Sequence, residues 1–320
     1  MSEPVNEGLV QEAITLALRA PSAHNAQPWR LSPDGDGSFL LWYAFADRLL
    51  ADPDDRDGIM AVGGFYETLS LAAQTLGLQA ALEFGAVPRA AGLRLGQVTF
   101  GPLPGPPDAL ATAVTSRQCN RNSYSKSPLP PGLRADLTNL GHILLPPALI
   151  APLVARASMM AWRDERFVTD LAEWTRFDDI SPDGMTVDCL RLSTIDQGAL
   201  RFALSRGSLP APLARVYAQR DVALTRASAT MAILVAEGRD PAALFDCGRR
   251  LVRSWTLINS LGYAWHPMSI VIDQPTVSEL TGMINGKDPV AIYRVGHTSR
   301  PAAWSKRRGL EAVIQPLGTM

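Results

Sequence analysis

Between Gly101 and Pro107 the chain reads Gly-Pro-Leu-Pro-Gly-Pro-Pro. Proline fixes φ and lacks an amide donor, so this run can neither continue a helix nor sit in a central strand. It divides a chain of 320 residues, a length that suggests two domains at roughly 150 residues each. The expected boundary follows: a first half at 1–104 and a second at 105–320.

Periodicity fills in the halves. Leu9, Val10, Ala13, Ile14, Ala17 and Leu18 recur at helical spacing, and Pro21 ends that helix at Ala20. Phe39 to Tyr43 reads as a strand, and Ile59 to Leu76 as a long helix opened by Gly63-Gly64 and closed by Gly77. Leu78 to Phe84 and Gly92 to Phe100 read as paired strands. In the second half, helices are expected at Asp108 to Ser116, Leu149 to Arg176 and Leu244 to Leu261, and a strand at Val290 to Val295. The stretch 178–212 mixes Gly, Pro and Ser with short apolar patches. Leu76-Gly77 and Leu261-Gly262 each end a long helix before a strand region, a faint internal repeat. The pattern is that of an α+β protein.

Hydrophobic residues make up 47 % and charged residues 19 %, a globular balance. The net charge of -1 lacks the basic excess of a nucleic-acid binder. Cys119, Cys189 and Cys247 form no CxxC pair, so no disulfide framework or structural zinc is expected. The four histidines lack metal-ligand spacing, and no GxSxG, Walker A or GxGxxG motif occurs. No apolar run nears the ~20 residues of a membrane span, and the N-terminus lacks the order of a signal peptide. A soluble cytoplasmic protein that binds no metal is expected.

Three segments could carry chemistry. Pro21-Ser22-Ala23-His24-Asn25-Ala26-Gln27-Pro28-Trp29 packs polar groups into a short loop held by two prolines, able to face a flat heteroaromatic ring. Arg117, Cys119 and Arg121 lie at i, i+2 and i+4, and two such guanidiniums can converge on one phosphate. Lys306-Arg307-Arg308 is a second basic cluster. Each also has a plain reading, as a capped connection or a solvated run, and the residues alone leave both open.

Together, and in order, these segments resemble the nitroreductase superfamily, whose loop reads approximately Pro-Ser-x-x-Asn-x-Gln-Pro-Trp and whose arginine motif reads Arg-x-Ser-x-Arg/Lys. The first is matched at Pro21, Ser22, Asn25, Gln27, Pro28 and Trp29; in the second, Cys119 replaces serine. Gly296, Lys306, Arg307, Arg308, Leu310 and Glu311 follow the family's C-terminal order. Here the loop lies in one half and the arginines in the other. Asp47-Arg48, Asp52-Pro53, Arg56, Gly63-Gly64, Trp174-Thr175-Arg176 and Asp183-Gly184 extend the similarity to the two-domain, Acg-like branch.

The resemblance implies a nitroreductase-like fold in two tandem related domains, an intramolecular pseudo-dimer with one FMN per chain that functions as a monomer. A lid over the flavin falls at about 178–212. Arg117, Cys119, Arg121, Lys306, Arg307 and Arg308 are implied at the phosphate, and Pro21, Ser22, Ala23, Asn25 and Ser269 at the ring. His24, His266 and Met268 would line the substrate pocket; no residue is nominated as catalytic. The stretch Trp265 to Ile270 is bulky and lacks the acid many members carry near the flavin. The implied reaction passes electrons from NADH or NADPH to a nitroaromatic, quinone or other small flat acceptor. The alternatives are a flavin-sequestering protein with little turnover, or an FMN enzyme that oxidises a specialised substrate or reductively removes a substituent from it.

Overall fold

A computed structural model describes residues 5–316. Helix α1 (Glu7–Ala17) is capped by Asn6, whose side chain accepts from the Gly8 amide. Val10, Ala13, Ile14 and Ala17 form its buried stripe. It closes before Ala20, because the chain already turns through Leu18 and Arg19. The segment after Pro28 forms two strands, β1 (Trp29–Pro33) and β2 (Phe39–Ala44), around a turn with Gly35 and Gly37 at positive φ. Helix α2 (Arg56–Thr75) and the hairpin β3 (Leu78–Pro88) and β4 (Gly92–Pro102) complete an antiparallel sheet ordered β1-β2-β4-β3.

The second half begins with a 3-10 turn, Ala111–Ser116, where an α-helix from Asp108 was expected; Asp108 caps it through the Leu110 amide. Then come α3 (Pro131–Asn139), β5 (His142–Leu145), α4 (Pro147–Ala161), α5 (Glu165–Trp174), β6 (Thr175–Arg176), β7 (Met185–Thr186) and α6 (Val187–Leu190). They are followed by α7 (Thr194–Leu204), α8 (Ala211–Arg226), β8 (Thr230–Ala236), α9 (Pro241–Ser260), β9 (Ala264–Pro267), α10 (Val277–Met283), β10 (Asp288–Gly296) and α11 (Leu310–Val313). The second sheet is antiparallel and ordered β5-β8-β10-β9.

Both halves share one wiring: helix, two strands, long helix, two strands, with the last strand second from the sheet edge. The second half differs by an insertion between β5 and β8 that carries α4 to α8. The stretch 178–212 is the middle of this larger insertion. It holds α6 and α7 rather than being irregular throughout.

The long helices cross at glycines. A Cβ on Gly63 would lie 2.1 Å from the Phe245 carbonyl oxygen, and one on Gly248 would lie 2.0 Å from that of Met60. Met60 to Phe245 and Gly63 to Gly248 are each 185 residues apart, as are Gly77 and Gly262, so the contact is reciprocal. Gly63-Gly64 therefore do not open α2. They lie inside it, and at Gly63 the other half's backbone leaves no room for a side chain. The C-terminal segment then returns to the first half: Ile314 pairs with Leu31, and the Gln315 amide donates to the Leu31 carbonyl at 2.9 Å. Val313, Leu234 and Phe245 join Trp29, Leu41 and Phe65 in one hydrophobic core. Among the described residues, no helix is long and apolar enough to cross a membrane.

Candidate functional site

Pro21 ends the α1 turn, and a short 3-10 turn, Ala23–Asn25, follows. His24, Asn25 and Gln27 all hold positive φ, at 52°, 58° and 55°. Left-handed backbone is costly for residues with a Cβ, and three instances in one loop mark imposed strain. Hydrogen bonds impose it. Ser22 Oγ accepts from the Gln27 amide at 2.9 Å. Gln27 Nε2 donates to the Pro182 carbonyl at 2.9 Å, and Gln27 Oε1 accepts from the Arg308 amide at 3.0 Å. Asn25 Nδ2 donates to the carbonyls of Gly184 (3.0 Å) and Lys306 (3.2 Å). The loop is thus tied to the insertion and to the C-terminal segment. Asn25 Oδ1 and His24 Nδ1 are buried without partners among the described residues.

The opposite wall comes from the second half. Around Cys119 the chain pairs with Trp265, and the Asn120 amide donates to the Trp265 carbonyl at 2.9 Å. Extended backbone puts alternate residues on one side, so Arg117, Cys119 and Arg121 all line the same cavity. Extension also spaces the arginines about 13 Å apart at Cα, from ~3.3 Å per residue. They do not converge. Arg117 stacks on Trp255, 4.2 Å from its ring centre, and donates to the Arg19 carbonyl. Arg121 Nη1 donates to the Cys189 carbonyl of the insertion at 3.0 Å.

Loop and wall enclose a cavity of about 390 Å³. Pro21, Ser22, Ala23, His24, Asn25, Arg117, Cys119, Arg121, His266, Met268, Ser269 and Arg307 all line it. The insertion adds Asp170, Met185, Cys189 and Asp221. The basic cluster divides. Arg307 faces the cavity, and the Lys306 side chain is exposed. Arg308 pairs instead with Asp47 at 2.9 Å and Asp183 at 2.8 Å. Those carboxylates also hold Arg30 and Arg176, which leaves Arg308 as a latch between first half, insertion and C-terminal segment.

The cavity has two electrostatic ends. At one, Arg117 and Arg307 are joined by Arg19, which the sequence pattern did not single out. Among the described residues none of the three has an ion-pair partner, and Nε of both Arg117 and Arg307 is buried without a hydrogen bond. Burial and the neighbouring guanidiniums push Arg117 and Arg307 each down to about 9. Burial is the larger cause of that depression; with no carboxylate paired to either side chain among the described residues, the positive charge suits an anion. The other end holds Asp52, Asp57 and Asp273. Arg56 pairs with Asp57 (2.8 Å) and Asp273 (2.6 Å). Burial, with Asp57 nearby, raises Asp52 to about 7; burial raises Asp273 to about 6.

The two histidines are neutral. Burial holds His24 below its ordinary value despite Asp170 and Asp57. Burial and Arg294, Arg121 and Arg220 hold His266 well below its own. Arg294 Nε donates to His266 Nδ1 at 3.0 Å, so the ring proton sits on Nε2. Neither acts as a cationic acid at neutral pH.

No protein-family model matches the chain. A Mycobacterium tuberculosis H37Rv protein provisionally named an NAD(P)H nitroreductase is 31 % identical over 177 residues, covering 52 % of this chain and 51 % of that one. An uncharacterized protein of the same organism is 29 % identical over 124 residues, covering 35 % and 31 %. The chain thus spans about half the length of the first of these relatives and less of the second. A solved structure titled FMN and NADPH-dependent nitroreductase NfnB, from a strain written as sphigopyxis sp. HMH, matches 65 % of this chain and 98 % of its own at 16 % identity and TM-score 0.39. NfnB from Mycobacterium smegmatis, titled as FMN-dependent and in complex with NADPH, gives 13 % and 0.39, over 64 % and 97 %.

Proposed function

We propose that this chain, a relative of the nitroreductase superfamily by sequence, is an FMN-dependent oxidoreductase that passes electrons from NADH or NADPH to a small flat acceptor such as a nitroaromatic or quinone. The observation that carries the reading is the cluster of buried Arg117 and Arg307 with half-buried Arg19 at one end of a 390 Å³ cavity, without a carboxylate partner among the described residues. Guanidinium donors left open in this way fit a phosphate monoester. The cavity volume is in the range of sites that enclose a small cofactor.

In this reading Arg117 and Arg307 hold the phosphate. Arg121, 13 Å or so along the extended strand, faces the ring end with Ser22, Ala23 and Ser269. Bound FMN would supply the hydride and electron transfer, which no side chain here can perform. The chain's own part is orientation and shielding. The strained 21–27 loop is fixed by Asn25 and Gln27, and the insertion covers the cavity. His266 presents a neutral Nε2–H as a hydrogen-bond donor.

The halves 1–104 and 105–320 stand for the two subunits of an ordinary member, as in the two-domain branch, and the chain works as a cytoplasmic monomer. The three free cysteines agree with a reducing compartment.

The test is the colour and its response. Purified protein should be yellow and release FMN, and NADH or NADPH should bleach the visible band without oxygen. A colourless protein that takes up no FMN would refute the reading. Colour that persists with either nicotinamide would favour a second reading, a flavin-holding protein with little turnover. The insertion's latches support that alternative: Arg308–Asp183, Gln27–Pro182, and Asp170 accepting from the amides of Leu50 (2.9 Å) and Ala51 (2.7 Å).

A further inference from the structure

The insertion that covers the cavity also presents a face of its own to solvent. Leu200 and Ala203 of α7 and Ala214 of α8 are buried with Leu209, Trp162 and Val168 in a small core. On the outward sides Ile195 is 85 % exposed, Phe202 52 %, Leu213 41 % and Val216 60 %. Ile195 and Phe202 stand seven residues apart on α7, and Leu213 and Val216 three apart on α8, so each pair shares one side of its helix. Asp196 feels the Arg220 charge, and Tyr217 feels both, which sets the start of α7 beside the later turns of α8. The two helices are a hairpin, and large apolar side chains gathered on its outside mark an interaction surface.

The charge of the hairpin says what kind of partner fits. From Thr194 to Arg226 the chain carries Arg201, Arg206, Arg215, Arg220 and Arg226, all exposed, against Asp196 and Asp221. Asp221 lines the cavity, and Asp196 is held by Ser193 in the cap of α7. Five arginines against two aspartates leave an excess of three positive charges, in a chain whose net charge is -1. Among the described residues none of the five is in an ion pair. Arg201 lies over the Phe177 ring at 3.9 Å and Arg206 over that of Phe202 at 5.2 Å. A second copy docked through this face about a twofold would set arginines against arginines. A bilayer with anionic lipid takes both features at once: apolar tips enter the acyl boundary, and guanidiniums on flexible stems stay with the phosphates.

We propose that the outward face of α7 and α8 is a docking surface for an anionic lipid bilayer, on which the protein rests reversibly without spanning it. The inference does not depend on what the cavity holds.

Purified protein is sedimented with vesicles of phosphatidylglycerol and phosphatidylcholine in equal parts, and with vesicles of phosphatidylcholine alone. The native chain should pellet with the first and stay in solution with the second, and added salt should release it by screening. Arg215→Gln with Arg220→Gln should weaken the partition at least about 10-fold, from about 5-fold per surface charge. Phe202→Ser with Val216→Ser should weaken it about 10-fold through lost apolar burial. All four side chains are exposed, and an unchanged circular dichroism spectrum and Tm verify that each variant folds. No pelleting with the anionic vesicles, or equal pelleting with both kinds, would overturn the proposal. A loss confined to the arginine variant would also overturn it, since a basic patch alone would then explain the binding. So would a native dimer in sedimentation velocity that Phe202→Ser with Val216→Ser dissolves, which would give the face to a second copy.

Discussion

Gln27 shows how one residue can serve a site without lining it. The Pro-Ser loop suggested a lining for a ring. Its polar side chains turn out to be divided: Asn25 and Gln27 spend their amides holding a left-handed backbone, and Ser22 caps the Gln27 amide. Gln27→Ala removes the partners of the Arg308 amide and the Pro182 carbonyl. It should lower stability by about 2–4 kcal/mol, from two buried hydrogen bonds, and calorimetric melting of the native and variant chains measures the loss. A change under about 0.5 kcal/mol, typical of a neutral surface site, would contradict the role assigned to it. Asp52 gives a second test. Burial and Asp57 raise its carboxyl to about 7 in the fold. The folded state then holds a proton that the unfolded chain has lost between pH ~4 and ~7, so stability falls as pH rises through that window. Asp52→Asn should therefore raise Tm at pH 8 and leave it nearly unchanged at pH 4. Equal shifts at both values would reject the linkage.

At the scale of elements, much was open to reading from periodicity and little from site chemistry. Helices α2 and α9, the β3–β4 hairpin and strand β10 all stand near their expected bounds, whereas the single helix expected at Leu149 to Arg176 is two, α4 and α5, followed by the short strand β6. Their apolar spacing is local, as are the Gly77 and Gly262 stops. What escaped depends on contacts distant in sequence. The α1 end was placed late because proline bounds a helix without fixing its last turn. Gly63-Gly64 read as a helix start because the reason for Gly63 lies 182 residues away, at the Phe245 carbonyl of α9. Arg117 and Arg121 read as one phosphate grip because the pairing with Trp265 that extends them is tertiary. Arg19 carries no motif at all; its carbonyl and guanidinium gain meaning when Arg117, Arg307 and Trp304 arrive around them. The crossing can be tested directly. Gly63→Ala or Gly248→Ala must push α2 and α9 apart, and should cost about 3 kcal/mol or more, as severe overpacking does. Gly282→Ala in α10, with open space around the new methyl, should stabilise by up to about 1 kcal/mol through helix propensity. Urea titration of the three variants separates these outcomes. Equal effects would show that the reciprocal glycines are not a packing requirement.

The whole molecule is asymmetric where its topology is symmetric. Two sheets with one strand order and two long helices crossing about a local twofold would give two equivalent clefts. Among the described residues, one side forms the 390 Å³ cavity. On the other, Glu67 of α2 is buried and binds Arg249 and Arg253 of α9, each at 2.8 Å, and Arg253 continues to Asp108. That network ties the two halves together. Charge follows the same division: the closed side pairs its arginines, and the open side leaves Arg19, Arg117 and Arg307 unpaired. Inorganic phosphate at millimolar concentration should therefore raise Tm, by mass action on the folded state, and the gain should vanish in Arg117→Ala. The most direct measurement is a titration of flavin-free protein with FMN, followed by fluorescence quenching, for the native chain and for Arg117→Ala with Arg307→Ala. The account predicts saturation at one FMN per chain, and an affinity at least 100-fold weaker in the double variant, as loss of two charged contacts implies, with riboflavin binding little changed. Two FMN per native chain, or equal FMN affinity in native and variant proteins, would contradict it.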